Sequence, residues 1–359
     1  MAHPSSADPD KERAARLTGH LDRGWERLDR GDPSGAEKSA RMALEVAPDD
    51  AEALTLLGAT LGAAGRDGEA IECLDRALEA EPEYATPALY AAELLYATES
   101  DLAQAFAYAE RASEHAEEEA EFVDAVVLCA EIRLAQDERE KAHELLAGLP
   151  PVEWPEPSAH VRAALALRAR DDPDPARAHV DFALGIAESV TDDVARAGKA
   201  DALHTLGLVH EAKSEAADMV KAWLGCRKLD LAEAPLPWSV STKDFEAIAE
   251  DALAELPERI RELLANVPIL IADYPAMEVV ADGNDPRMLG FFAGVPYPEK
   301  SHLDGAQAAP DSVFLYQRNI ERQSRNRDEV AHEIRITLLH ETGHFFGLSD
   351  EELDEMGLG

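Results

Sequence analysis

The sequence predicts an α-helical array of repeated helix pairs followed by a small α+β domain. Three observations carry that expectation. A period of 34 residues runs through the N-terminal part. The proline-containing stretch "LAEAPLPWSVSTKDF" then ends the helical pattern. Beyond it come short β-branched runs and one amphipathic helix whose last turns hold two histidines and a glutamate.

The start, "MAHPSSADPDKERAARL", has no apolar signal core, and residues 1–11 are expected to be disordered. The repeat is clearest between "GWERLDRGDPSGAEKSARMALEVAPDD" and "GATLGAAGRDGEAIECLDRALEAEPEY". Gly24 matches Gly58, Gly31 matches Gly65, Ala36 matches Ala70, Ala43 matches Ala77 and Pro48 matches Pro82. Alanine at a helix crossing lets backbones approach, and proline cannot continue a helix. This pattern resembles the tetratricopeptide (TPR) repeat, which implies units of two antiparallel helices. Looser units align Ala105 with Ala70 and show a similar second helix around Ala142 and Ala178; Leu206–Gly207 resembles Leu57–Gly58. About six helix pairs are expected, forming a TPR-like solenoid over 12–234. A plain helical bundle is the alternative.

Pro235 and Pro237 interrupt the pattern, and Ser241 or Thr242 can cap the next helix. A second domain is expected over 239–359. Phe245, Ile248, Ala249, Ala252, Leu253 and Leu256 make one apolar helical face. "VPILIA" (267–272) reads as a short buried strand, and "LGFFAGVPYP" (289–298) as a strand or aromatic loop. "SVFLYQRNI" (312–320) reads as a third strand, placed at a sheet edge. "RDEVAHEIRITLLHETGHFFG" reads as a helix, with Asp328 able to cap it, Val330, Ile334, Leu338 and Phe345 as its stripe, and Gly347 as its end.

The sequence "HETGHFFGLSD" (340–350) closes that helix. His340 and His344 stand at i and i+4, so both imidazoles share a face one turn apart. Two such nitrogens can reach one zinc ion at about 2.0–2.1 Å. Glu341 is rotated by about 100° from His340, so it borders the metal without ligating it. It is placed to accept a proton from water. Asp350, after the turn at Gly347, can supply a third ligand; Glu351, Glu352 and Asp354 are close alternatives. Three protein ligands would leave a fourth position open, as catalytic zinc requires.

The spacing HExxHxxGxxD is similar to a zincin signature. With "ALAELPERIRELLANVPILIADYP", "LGFFAGVPYPEKS" and "PDSVFLYQRNIE", it makes the region from about 243 to 359 resemble the minimal zincin-like metallopeptidases, small bacterial proteins. The resemblance covers about a third of the chain. It implies a zincin-like α+β fold, one zinc per chain on His340, His344 and Asp350, and Glu341 as general base. Tyr316, Arg318 and His302 are candidates for contacting substrate, with a peptide lying along 313–318. Packing of the sheet is the plainer role for Tyr316 and Arg318, and a surface loop the plainer place for His302.

The leading expectation is therefore a zinc metallopeptidase, with the repeat groove holding a protein or peptide substrate or a regulatory protein. A non-catalytic TPR adaptor with a structural zinc, and a metallohydrolase of non-peptide amides, are the alternatives. The charge of -39 repels phosphate backbones and anionic membranes, so neither nucleic acid nor membrane is an expected partner. No stretch has the length of a membrane span. Cys73, Cys129 and Cys226 form no CxxC pair and read as buried thiols. A cytoplasmic location is expected.

Overall fold

The computed structural model describes residues 9–98, 100–149, 154, 157–168, 174–189, 193–255, 258–264, 267–294, 311–349 and 352–353. The chain divides into two compact units, Met1–Glu215 and Ala216–Gly359.

The first unit is built from α1 (Pro9–Asp29), α2 (Pro33–Val46), α3 (Ala51–Ala63), α4 (Asp67–Ala80), α5 (Ala85–Ala97), α6 (Leu102–His115), α7 (Glu119–Ala135), α8 (Arg139–Ala147), α9 (Pro157–Leu167), α10 (Asp174–Ser189) and α11 (Asp193–Ala212). Consecutive helices pair, α1 with α2 through α9 with α10, and α11 packs on α9 and α10. The second helix of every pair repeats one buried pattern at i, i+4 and i+7. Ala36, Ala40 and Ala43 are followed by Ala70, Leu74 and Ala77, then by Ala105, Ala109 and Ala112. Ala142 and Leu146 continue it, with Leu149 just past the end of α8 in the third place, then Ala176, Val180 and Ala183. The fifth unit is thus in register at Ala176; the expected Ala178 is exposed, two residues out. The leading position is alanine each time because facing helices close over it, and a larger side chain would overpack the crossing.

The turns are capped by recurring aspartates. Asp32, Asp50 and Asp101 accept hydrogen bonds from the amides of Gly35, Ala53 and Gln104 at 2.8, 2.9 and 2.9 Å. Helix α1 begins at Pro9, so residues 9–11 are helical rather than disordered, and 1–8 lie outside the described residues.

An aromatic cluster joins α9 and α10. Trp154 stacks on His160 at 4.6 Å, and His160 and His179 approach Nδ1 to Nδ1 at 3.0 Å. Burial and, second, the charge of His160 hold the His179 imidazole at about 4, below its ordinary 6.5. The folded state therefore favours the neutral ring. Its contribution is complete above pH 6.5 and is lost as pH falls through about 4. The loss is expected to be on the order of a few kcal/mol. Thermal melts of the full chain from pH 7 to 4 should show this destabilisation, and His179→Leu should flatten that part of the profile.

The second unit starts with α12 (Ala216–Asp230), followed by α13 (Thr242–Glu255), α14 (Glu258–Leu264), β1 (Ile269–Ala272), α15 (Met277–Ala281), β2 (Gly290–Ala293), β3 (Ser312–Tyr316), α16 (Gln317–Gln323) and α17 (Arg327–Phe345). The unit boundary falls before α12, whereas the repeat pattern places that helix in the array. Its closing residue explains the difference. Asp230 is buried, and Arg287 binds its carboxylate with both Nε (3.1 Å) and a terminal nitrogen (3.0 Å). Arg322 adds a third bond at 3.0 Å, and Arg227 on the same helix donates to the Pro275 carbonyl at 2.6 Å. Burial alone would raise the Asp230 carboxyl, but the bonds and charges of Arg287 and Arg322 hold it below the ordinary range.

The sheet has the order β1-β3-β2. Strand β3 runs parallel to β1 and antiparallel to β2, with Leu270 opposite Phe314 and Gly290 opposite Leu315. Three expectations change here. The expected edge strand is the central one. It ends at Tyr316, where Gln317 and Ile320 already follow a helical period in α16. The expected buried strand, β1, is an edge among the described residues, and its Leu270 is 41% exposed. Of the stretch 289–298, residues 290–293 form β2 and 295–298 lie outside the described residues.

Ser241 caps α13, accepting the Asp244 amide at 3.1 Å. Asn326 rather than Asp328 sits before α17 and accepts the Glu329 amide at 3.2 Å. The core joins Phe245, Ala249 and Ala252 of α13 to Val313 and Leu315 of β3 and to Val330, Ile334 and Leu338 of α17. No described helix is long and apolar enough to cross a membrane.

A fragment of residues 216–359 should therefore unfold cooperatively. A fragment starting at 239 leaves Arg287 and Arg322 without Asp230. Removing one partner of such a buried pair costs about 3–5 kcal/mol. Denaturant titration of the two fragments measures the difference.

Candidate active site

Helix α17 runs over β2, β3 and α13. Its buried stripe passes through Val330, Ile334, Leu338, Glu341 and Phe345. A glutamate, 6% exposed, thus stands where the helical period calls for an apolar side chain. Burying a carboxylate is costly, so packing alone does not account for the residue at this position. His340 and His344 flank the stripe and are half-buried.

The two imidazoles turn their Nε2 atoms toward each other at 3.0 Å, with the rings at 80°. Nδ1 of His344 lies 3.0 Å from the Leu348 carbonyl. A carbonyl can only accept, so Nδ1 is the donor of this bond, and in the neutral ring the lone pair is then on Nε2. Leu348 is held there by its own amide bond to the Gly343 carbonyl at 3.1 Å. Gly347 makes that reversal with φ +83°, a left-handed conformation that glycine adopts without penalty.

This donor set fits a metal ion of borderline softness. Two nitrogens on one tetrahedral zinc stand about 3.3 Å apart, close to the separation seen here, and a carbonyl bonded to the far ring nitrogen orients such ligands. Asp350, the expected third ligand, lies outside the described residues, as do Glu351 and Asp354. Glu352 caps the returning segment. Its carboxylate accepts the Ser349 amide at 2.9 Å, while its own amide donates to Ser349 Oγ at 3.3 Å. This reciprocal capping box shapes the returning segment and uses one oxygen, Oε2, of Glu352.

Glu341 is fixed by a contact that the motif does not reveal. A Cβ added to Gly290, at the start of β2, would lie 2.7 Å from Glu341 Cγ, 2.8 Å from its Oε1 and 2.8 Å from Thr337 Cγ2. The bare backbone of Gly290 is the floor on which the glutamate rests. The sequence signal for this position is only a glycine entering a strand.

The expected substrate contacts are arranged differently. Tyr316 is 2% exposed, and burial and, second, the Glu341 charge push its phenol up to about 12. It packs beneath the site instead of facing a substrate. Arg318 belongs to α16, where its guanidinium bonds Ser239 Oγ at 2.6 Å and Glu321 at 3.0 Å and lies 3.6 Å from Asp273. It therefore braces the segment before α13. His302 lies outside the described residues. Central β3 has neighbours on both sides, so a peptide cannot lie along 313–318. Among the described residues, the open strand edge on the Glu341 side is that of β2.

The Gly290 contact gives a direct test. Gly290→Ala should cost about 1–3 kcal/mol by overpacking against Glu341 and Thr337. In a Glu341→Ala background the same change should cost distinctly less. Thermal unfolding of the four members of this cycle measures the coupling.

Comparison with known proteins agrees with the C-terminal geometry. Residues 264–359 match the family model described as zincin-like metallopeptidase. No curated protein matches the chain. Among solved structures, Pseudomonas aeruginosa pilF is 19% identical, covering 66% of this chain and 99% of that one, with a TM-score of 0.48. A thermophilic TPR protein of Thermus thermophilus, TTC0263, is 23% identical, covering 52% and 98%, with a TM-score of 0.44. Yeast Tom70 is 17% identical, covering 69% and 52%, with a TM-score of 0.43. These scores are low, and the helix-pair assignment stands on the chain's own repeat of buried alanines. The chain thus joins an N-terminal TPR-like array to a C-terminal region, 264–359, that matches the zincin-like metallopeptidases.

Proposed function

We propose that the protein is a zinc-dependent metallopeptidase whose repeat array recruits the protein or peptide it cuts. The observation that carries this reading is the pairing of two converging Nε2 atoms, 3.0 Å apart, with a buried glutamate on the same helix. A structural metal site needs no general base beside its ligands, and a buried carboxylate at this position can fill that role.

In this reading His340 and His344 hold one zinc ion per chain, with Asp350 as the third ligand. A zinc ion there supplies Lewis-acid polarisation of the scissile carbonyl and acidifies water. Glu341 accepts a proton from the attacking water and delivers it to the leaving amine as the C–N bond breaks. The missing side chain at Gly290 leaves the room that the Glu341 side chain occupies. The Leu348 carbonyl keeps the His344 lone pair on the metal side. An extended peptide would pair with the outer edge of β2, which places its carbonyl beside Glu341.

Recruitment is supported by a groove of about 1160 Å³ in the repeat unit, lined by Glu81, Glu83, Glu117, Glu118, Glu121 and Asp124 around Tyr84 and Leu89. Such a surface favours basic segments, and holding one raises its effective concentration at a linked site.

Protein purified without added metal should contain one zinc per chain by elemental analysis, and His340→Ala or His344→Ala should abolish it. Glu341→Gln should retain zinc and fold while losing about 10²–10⁴-fold in turnover, the usual contribution of a general base. Proteome-wide cleavage profiling of wild type, Glu341→Gln and the 216–359 fragment tests both halves of the proposal. Cleavage that persists in Glu341→Gln would remove that residue from the mechanism. An unchanged target set with the fragment would remove recruitment by the repeats.

A further inference from the structure

The sheet has a second edge, away from the β2 side, and its chemistry is unusual for a surface strand. Strand β1 pairs only with β3 among the described residues. The Val313 amide donates to the Pro268 carbonyl at 3.0 Å. Parallel ladders alternate, so Leu270 turns its amide and carbonyl toward β3, and Ile269 and Ile271 turn theirs outward. Natural sheet edges are commonly guarded by a lysine, a bulge or an internal proline. The stretch Ile269–Ala272 has none of these.

Beside this edge runs a groove of about 700 Å³ between β1, α13 and α14. Its floor is aliphatic: Leu253, Leu264 and Val267, with the Ile269 and Ile271 side chains. One rim carries Glu246 and Glu250, which stand one turn apart on α13, are exposed, and form no ion pair among the described residues. Arg261 of α14 lines the same groove and is exposed.

We infer that the outer edge of β1 is a docking site for an extended segment of a partner protein, added as a fourth strand. Outward-facing amides and carbonyls at Ile269 and Ile271 select an extended backbone, which a helix could not satisfy. Alternate side chains of that segment point into the aliphatic groove, so they are valine, isoleucine or leucine. One of them is lysine or arginine. Its stem lies along Leu253 and its charge reaches Glu246 and Glu250. The residue opposite Arg261 is neutral or acidic, and this asymmetry fixes the direction of the added strand. The site is separate from the Glu341 side of the sheet, so it anchors a partner without occupying the centre where we place hydrolysis. This inference stands whether or not the site of α17 is a peptidase.

The test uses the full chain and a panel of labelled eight-residue peptides of alternating valine and threonine, with one lysine moved through each position. At least one peptide should bind saturably by fluorescence anisotropy, and the Ile269 and Ile271 amides should become protected from hydrogen exchange. Its Kd should rise about tenfold with the surface double variant Glu246→Gln/Glu250→Gln. N-methylation of alternate peptide amides should abolish binding, and replacing lysine by glutamate should weaken it. Four results would overturn the proposal. The first is that no peptide binds saturably, and the second is that binding ignores N-methylation. The third is protection of both amides in the free chain at every concentration, which means the edge is covered by the chain itself. The fourth is protection that grows with protein concentration, which means a second copy is the occupant.

Discussion

The hydrogen bond from His344 Nδ1 to the Leu348 carbonyl is the interaction on which the site depends. It fixes the tautomer, so the Nε2 lone pair faces His340. It exists because Gly347 adopts a left-handed turn that brings Leu348 back over the last turn of α17. An alanine at 347 would strain the turn, the carbonyl would move, and the imidazole could rotate or change tautomer. The helix end thus orients the His344 ring as well as stopping the helix.

Around that bond, the second unit is arranged to immobilise α17. The stripe from Val330 to Phe345 anchors the helix, and Glu341 occupies one of its core positions. Gly290 leaves room for the glutamate by having no side chain, and Tyr316 forms part of the buried floor. Charge pairs tie the outlying elements in. Asp230 joins α12 to α16 and to the segment before β2. Glu321, 1% exposed, accepts the Val240 amide at 3.0 Å and Ser239 Oγ at 2.8 Å. These are buried carboxylates with several donors each, so losing one partner leaves a charge uncompensated.

Much of this was legible in the sequence because it is local. The repeat alanines recur at a fixed period, and an i, i+4 histidine pair must share a helix face whatever the tertiary structure. Long-range features were not legible. The order β1-β3-β2 depends on strands more than forty residues apart in sequence. Read alone, "SVFLYQRNI" looks like one strand, since nothing local shows that Tyr316 ends the ladder and Gln317 begins a helix. Helix α12 looks like the sixth second helix of the array. Its membership in the other unit follows from Arg287 and Arg322, which lie far along the chain from Asp230. The role of Gly290 was invisible for the same reason, as its neighbour Glu341 is on another element.

The account predicts which His344 ring nitrogen carries the proton and which ring nitrogens respond to zinc, and nitrogen NMR of ¹⁵N-histidine-labelled protein reads both directly. Before metal is added, His344 should be protonated at Nδ1. One equivalent of zinc should shift Nε2 of both His340 and His344 while leaving the His344 Nδ1 proton in place. A His344 protonated at Nε2, or Nε2 resonances that ignore one equivalent of zinc, would contradict it.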